Sequence, residues 1–193
     1  MYVGHVKDPA AVNTLLAEAL CISLDNAISG CATEITVTFL DDGSVSVCDD
    51  GLGLSVTKTD SGLTPIEILL TQLHACRDAK TRVNESLCGV GIVVTNCLSS
   101  SLVVETVQDG WLWRQDYAKD LPVSRIRKVE PSAGQMQRIT FLPDPEIFGS
   151  NCLSPDYFFE WFVSKQFELE SAVANMVSGG QTRQLFPVRS KPS

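Results

Sequence analysis

Small and apolar residues fall at spacings of three and four from Asp8-Pro9-Ala10 onward, at Val12, Leu15, Leu16, Ala19, Ser23 and Ala27, and the pattern stops at Gly30. This spacing predicts an amphipathic helix, with Glu18, Ile22 and Asp25 at i, i+4 and i+7 sharing one face that can look into a common site. The period then changes to two. Residues 34–39 and 44–48 alternate apolar and polar side chains around Asp41-Asp42-Gly43, which predicts a hairpin whose second strand ends at the turn Asp49-Asp50-Gly51. A second helix is predicted over 65–74, because Thr64 can cap it and Pro65 suits its first position. Residues 75–88 are polar, carry Arg77, Lys80 and Arg82 and lack an apolar period; a lid over a ligand and a solvated connector both fit. Gly89-Val90-Gly91 leads into the apolar stretch Ile92, Val93, Val94 and Leu98, read as a helix whose first N–H groups point back at the loop. Strands follow at 102–107 and 111–117 around Asp109-Gly110, and at 136–142. A last helix is predicted from Ser154-Pro155-Asp156, with Tyr157, Trp161, Phe162 and Leu169 toward the core and Gly179-Gly180 just past its end. The expected class is α+β, a mixed but mostly antiparallel sheet covered by helices.

Composition narrows the function more than the fold. The 193 residues are 44% hydrophobic and 20% charged, which is ordinary for a globular domain. A net charge of -8 argues against a phosphate-tracking surface, so no direct DNA contact by this stretch is expected. Seven cysteines, odd in number and without a Cys-x-x-Cys pair, fit neither a disulfide framework nor a zinc site, and most are expected to be small buried hydrophobes. No unbroken run of about 18 apolar residues is present, nor a basic and apolar leader; a cytoplasmic protein with no membrane partner is the expectation. His5 and His74 stand apart from other ligand-type residues, and Trp111, Trp113 and Trp161 are read as packing residues.

Three short stretches carry candidate chemistry. Asp49 can accept a hydrogen bond from a purine amino group, the paired glycines Gly51 and Gly53 allow backbone to approach a ligand, and Leu87-Cys88-Gly89-Val90-Gly91 offers N–H groups to phosphates. Taken alone, Asp-Asp-Gly is commonly just a turn and a helical Glu commonly just a solvated carboxylate. Their order along the chain changes that weighting. Met1-Tyr2-Val3-Gly4, the spacing to Glu18, Asp49-Asp50-Gly51-Leu52-Gly53-Leu54, Leu73-His74-Ala75, the Gly89 to Gly91 loop and Thr140-Phe141-Leu142-Pro143 together resemble the N-terminal ATPase domain of the DNA gyrase B subunit and topoisomerase IV. That family belongs to the GHKL superfamily, and the resemblance covers nearly the whole chain.

The resemblance implies a single GHKL (Bergerat-type) ATP-binding domain over residues 1–193, without the N-terminal arm that crosses to a partner subunit and without the transducer domain. It implies that Glu18 is the general base for the water attacking ATP and that Asp49 reads the adenine amino group. It also implies that Gly51 and Gly53 let the base approach, that Val47, Leu54 and Ile139 wall the base pocket, and that Gly89, Val90 and Gly91 cradle phosphates. The implied ligand is ATP; the implied partners are a second copy of the chain or a topoisomerase partner subunit. Several positions depart from the pattern. Ile22 replaces the Asn that binds Mg²⁺, so the metal is in doubt, and Cys21 replaces a neighbouring Asp. Leu52 and Asn26 replace an Arg and the Glu that pairs with it, a joint loss that strands neither charge. Glu85, Ser86 and Cys88 alter the phosphate loop. Gln137 replaces the Thr that helps Asp49 hold adenine through a water. Two functions fit: a gyrase B-like ATP-binding domain with weak or lost hydrolysis, and a pseudo-ATPase that keeps the fold as a binding or regulatory module.

Overall fold

The computed structural model describes residues 4–6, 8–73, 91–150, 152–164 and 172–185. Helix α1 spans Pro9–Ile28, with the Asp8 side chain accepting from the Ala10 N–H at 2.9 Å and Pro9 in the first turn. Its predicted stripe is inside: Leu15, Leu16, Ala19, Leu20 and Leu24 are fully buried. By length and composition alone α1 could cross a membrane, but 72% of its apolar window is packed inside the fold, as expected of a core helix.

Nine strands among the described residues form one sheet. β1 (Glu34–Phe39) and β2 (Val45–Asp49) make the predicted hairpin; β3 (Ser99–Gln108) and β4 (Trp111–Ala118) make a second across Asp109-Gly110, both at positive φ. β5 (Leu121–Pro122) and β6 (Arg127–Pro131) both pair with β4, and β7 (Gln137–Pro143) lies between β2 and β3, antiparallel to both. β8 (Val173–Ser178) runs parallel to β1 and antiparallel to the edge strand β9 (Gln181–Gln184), so the sheet is mixed and mostly antiparallel. Alternation along the strands puts Ile35, Val37, Val45, Val47, Leu102, Val104, Ile139, Phe141, Ala174 and Met176 in one buried cluster with α1. Val103, Glu105, Arg138 and Thr140 take the opposite face.

The short helices pack on the same layer. α2 (Pro65–Thr71) starts with the predicted Thr64 cap, completed by Glu67 reaching back to the Thr64 N–H at 2.8 Å, and stops three residues earlier than its apolar pattern implied. α3 (Ile92–Cys97) packs Ile92 and Val93 inward, and α4 (Pro145–Phe148) is a single turn after β7. The segment 75–88, with Glu85, Ser86 and Cys88, falls outside the described residues, as do His74, Gly89, Val90 and Leu169.

The C-terminal part differs from the sequence reading. α5 covers only Pro155–Val163, and Gly179-Gly180 turns the β8–β9 hairpin instead of ending a helix. The alternation of Val173, Asn175 and Val177 with buried Ala174 and Met176 is a strand signal that the long helical reading absorbs. The face of α5 is also rotated: Tyr157 is 41% exposed, while Phe158 and Phe162 are buried and stack with centroids 5.5 Å apart. The cysteine expectation fails as well. Cys31, Cys48, Cys97 and Cys152 are free thiols and none is fully buried, whereas Cys21, buried in α1, is disulfide-bonded. Phe158→Ala is expected to cost about 3–5 kcal/mol in urea unfolding and Tyr157→Ala about 0.5 kcal/mol or less. The reverse ranking would contradict the placement of this helix.

Candidate functional site

Asp49 is the last residue of β2, 2% exposed, and sits beneath α1. An isolated carboxylate in such a place is costly, and here three donors meet it. Ser23 Oγ donates to Oδ2 at 2.6 Å, Asn26 Nδ2 to Oδ1 at 2.9 Å, and the Gly51 N–H to Oδ1 at 3.0 Å. A carboxylate has about four acceptor positions, so both on Oδ1 are filled and one on Oδ2 stays open. Burial pushes the Asp49 carboxyl above its ordinary range; the bonds from Ser23, Asn26 and Gly51 oppose that rise without cancelling it, and the neighbouring Asp50 charge adds to it. Asp50 serves a different purpose. Its carboxylate takes the Thr33 hydroxyl and the backbone N–H groups of Thr33 and Glu34 at 2.7 and 2.9 Å, pinning the turn to the start of β1.

The glycines are needed for close approach. A Cβ on Gly51 would fall 2.8 Å from Asp49 Oδ1 and 2.9 Å from Ala32 Cβ. On Gly53 it would fall 1.7 Å from Thr106 Oγ1, so this segment lies directly on β3. Amide side chains clamp the segment from three elements: Asn26 Nδ2 donates to the Leu52 carbonyl at 3.1 Å, the Leu54 N–H donates to Gln137 Oε1 at 3.1 Å, and the Val56 N–H donates to Gln108 Oε1 at 3.0 Å. Leu52 is 53% exposed and borders a cleft of about 370 Å³ that Val107, Gln108 and Gln135 also line.

Asp49, Gly51, Gly53, Leu54 and Gln137 are therefore brought together, above the buried cross-strand neighbours Val47 and Ile139. Register sets the polar row: Asp49 on β2 faces Gln137 on β7, which faces Thr106 on β3. Gln137 and Thr106 are as buried as Asp49. Glu18 lies five residues before Ser23, about 7.5 Å along the helix axis. It is buried, and its Oε2 accepts the Gly91 N–H at 3.0 Å. Gly91, with φ 86° and ψ 154°, precedes the first turn of α3, and its amide is thus taken up by Glu18. Ile22, one turn on from Glu18, is half-buried against the core and brings no oxygen to this face.

Two members of the site escape sequence reasoning. Ser23 reads as part of an apolar stripe and Asn26 only as a lost ion-pair partner, yet both hold Asp49. A Ser among leucines on a buried face, three residues before an Asn, is the signal that the sequence offers.

A layered α+β sandwich, with a buried Asp ending one strand and a Gly-x-Gly segment laid across the sheet beside it, has the architecture of a GHKL-type domain. No protein-family model matches the chain. Individual relatives do: the DNA gyrase B subunit of Mycobacterium leprae is 35% identical over 153 residues, covering 77% of this chain and 22% of that protein. The DNA gyrase B subunit of Mycobacterium tuberculosis H37Rv is 35% identical over 152 residues, covering 77% of this chain and 22% of its own length. The novobiocin-sensitive DNA gyrase B subunit of Streptomyces niveus is 35% identical over 172 residues, covering 87% and 24%. The chain is thus similar to DNA gyrase B subunits, as a divergent gyrase B-like domain, and spans about a quarter of the length of the curated relatives it matches or slightly less.

A raised Asp49 pKa has a signed consequence. Between the ordinary value of 3.8 and the raised one, the folded protein holds this proton more tightly than the unfolded chain, so its contribution to stability falls as pH rises through that window. Asp49→Asn keeps the Oδ1 acceptor, and the Ser23 hydroxyl can turn to accept from the new amide. The melting temperature of Asp49→Asn minus that of the unaltered protein is expected to grow as pH rises above 3.8 and then level off. Parallel melting curves across that range would contradict the burial argument.

Proposed function

We propose that this chain binds an adenine nucleotide, as the ATP-binding domain of a gyrase B-like type II topoisomerase subunit, with hydrolysis weak or lost. The observation that carries the reading is the open acceptor position on Asp49: a buried carboxylate, held rigidly by three donors, with Val47 and Ile139 beside it. An amino group entering from a flat apolar base satisfies the remaining lone pair, and the apolar neighbours pack on the ring faces. Glycines at 51 and 53 let the backbone lie close enough for that contact.

Glu18 is the group to hold and orient a water near the terminal phosphate, with its bond to the Gly91 N–H fixing the carboxylate's direction. Magnesium, when bound, neutralises charge developing in phosphoryl transfer. The side chains present do not fit that ion. A hard cation needs oxygen ligands, and Ile22 has none to offer. Binding without appreciable turnover follows from an intact base site beside a deficient metal site. The negative net charge of -8 supports a role in which the nucleotide, and not DNA, is the direct ligand, with a second copy or a topoisomerase subunit as partner.

Calorimetric titration with a non-hydrolysable ATP analogue is expected to show binding that Mg²⁺ does not tighten. Asp49→Ala is expected to weaken it by on the order of 1–3 kcal/mol, because it removes the acceptor for the base. Unchanged affinity in that variant would falsify the pocket assignment. Ile22→Asn places a side-chain oxygen on the same helix face and is expected to make affinity rise with Mg²⁺; indifference to the metal would mean that the phosphate end is remodelled beyond this one position.

A further inference from the structure

We propose that the protein binds an ordered internal water between α2 and β4, held by the Tyr117 hydroxyl and the side-chain carbonyl of Gln115. The nucleotide reading is not needed for it. Gln115 is 0% and Tyr117 1% exposed, and among the described residues Gln115 Oε1 and Tyr117 Oη are buried atoms without a hydrogen-bond partner. The direction of the Gln115 amide is fixed by its other end, where Nε2 donates to Glu67 Oε1 and to the Ser124 carbonyl, both at 3.2 Å. Turning the amide over would set its oxygen against two oxygens, so Oε1 needs a donor from elsewhere. Leaving it bare is costly in a layer closed to solvent.

Position brings the groups together. Gln115 and Tyr117 are alternate residues of β4 and share its core-facing side, with Cα atoms about 7 Å apart. Glu67, in the first turn of α2, accepts from Gln115, and its charge also acts on the Tyr117 hydroxyl. At the other end of α2 a second amide repeats the arrangement. Asn96 Nδ2 donates to the Leu70 carbonyl at 3.0 Å and to the Asp120 carbonyl at 3.4 Å, and its Oδ1 is again buried without a partner among the described residues. A polar seam therefore runs beneath α2 from its first turn to its last, and its open positions are two amide oxygens and one phenol.

Those open positions select the ligand. Two acceptors and one hydroxyl call for a small molecule that donates and accepts at once, and a water does both. An anion would be repelled by Glu67 and would find a single donor among these groups. Burial and then the Glu67 charge push the Tyr117 phenol well above its ordinary range, so it keeps its hydrogen. Tyr117 Oη donates to the water and the water donates to Gln115 Oε1. Helix α2 is thus tied to the sheet through a solvent molecule as well as through the bond between Glu67 and Gln115.

The test is a search by NMR, on the isotope-labelled 193-residue chain, for cross-peaks between a long-lived water and the Gln115 side-chain amide hydrogens, joined to urea unfolding of Tyr117→Phe. The cross-peaks are expected in the unaltered protein and are expected to vanish in Tyr117→Phe. The variant's unfolding constant is expected to rise about tenfold, because a bonded hydroxyl is lost. A hydroxyl with no partner predicts the opposite sign, since its removal relieves a buried polar group; a Tyr117→Phe protein as stable as its parent or more so would overturn the proposal. Absence of the cross-peaks in the unaltered chain would overturn it too, whatever the variant does. A melting temperature that depends on whether potassium or choline is the salt cation would assign a metal ion to the seam in place of water. The water search needs no variant, so a Tyr117→Phe protein that does not fold leaves the test intact.

Discussion

The site is organised around one buried charge. Asp49 ends β2 under α1, where its desolvation is opposed by hydrogen bonds from two side chains of that helix and one backbone amide of the turn that follows. Each of those bonds also fixes something else. Ser23 and Asn26 set the register of α1 against the sheet, and the Gly51 amide sets the path of the chain leaving β2. Asn26 continues the linkage by holding the Leu52 carbonyl, so helix, strand and turn share one polar junction. Buried polar networks of this kind are worth having only when satisfied, and this one is satisfied except for a single acceptor position. That exception is what makes it a candidate site and not merely a structural knot.

The same junction accounts for a departure from the family pattern. The resemblance places an Arg and its Glu partner where Leu52 and Asn26 stand, a joint change that strands neither charge. Asn26 does not simply fill the gap. As a neutral donor it turns toward Asp49, a bond that a carboxylate at the same place could not donate. Gln137 on the neighbouring strand β7 accepts from the Leu54 N–H at 3.1 Å and ties the Gly-x-Gly segment to the sheet with a second neutral amide. Neutral amides thus surround the Asp49 end of the proposed pocket, whereas Ile22 brings no oxygen to the helix face it shares with Glu18.

Much of this architecture is readable from periodicity. α1, both hairpins, the Thr64 cap and the position of Asp49 at a strand end follow from local rules, because each rests on side chains within a few residues of one another. What escapes depends on distant partners. β8 pairs parallel to β1 across more than a hundred residues, and the short apolar alternation of Ala174 and Met176 cannot be separated from a continuing helix by pattern alone. Tyr157 and Phe158 are neighbours of similar size, and which of them faces inward is decided by Phe39 and Phe162. Ser23 and Asn26 are informative only once Asp49 is known to lie beneath them.

The most direct measurement is the titration of the Asp49 side-chain carboxyl by carbon-13 NMR, with and without a saturating non-hydrolysable ATP analogue. The account predicts a carboxyl that titrates above the ordinary range in the free protein and is pulled down when a base amino group donates to its open lone pair. An Asp49 that titrates normally, or one whose titration is indifferent to the nucleotide, would contradict it.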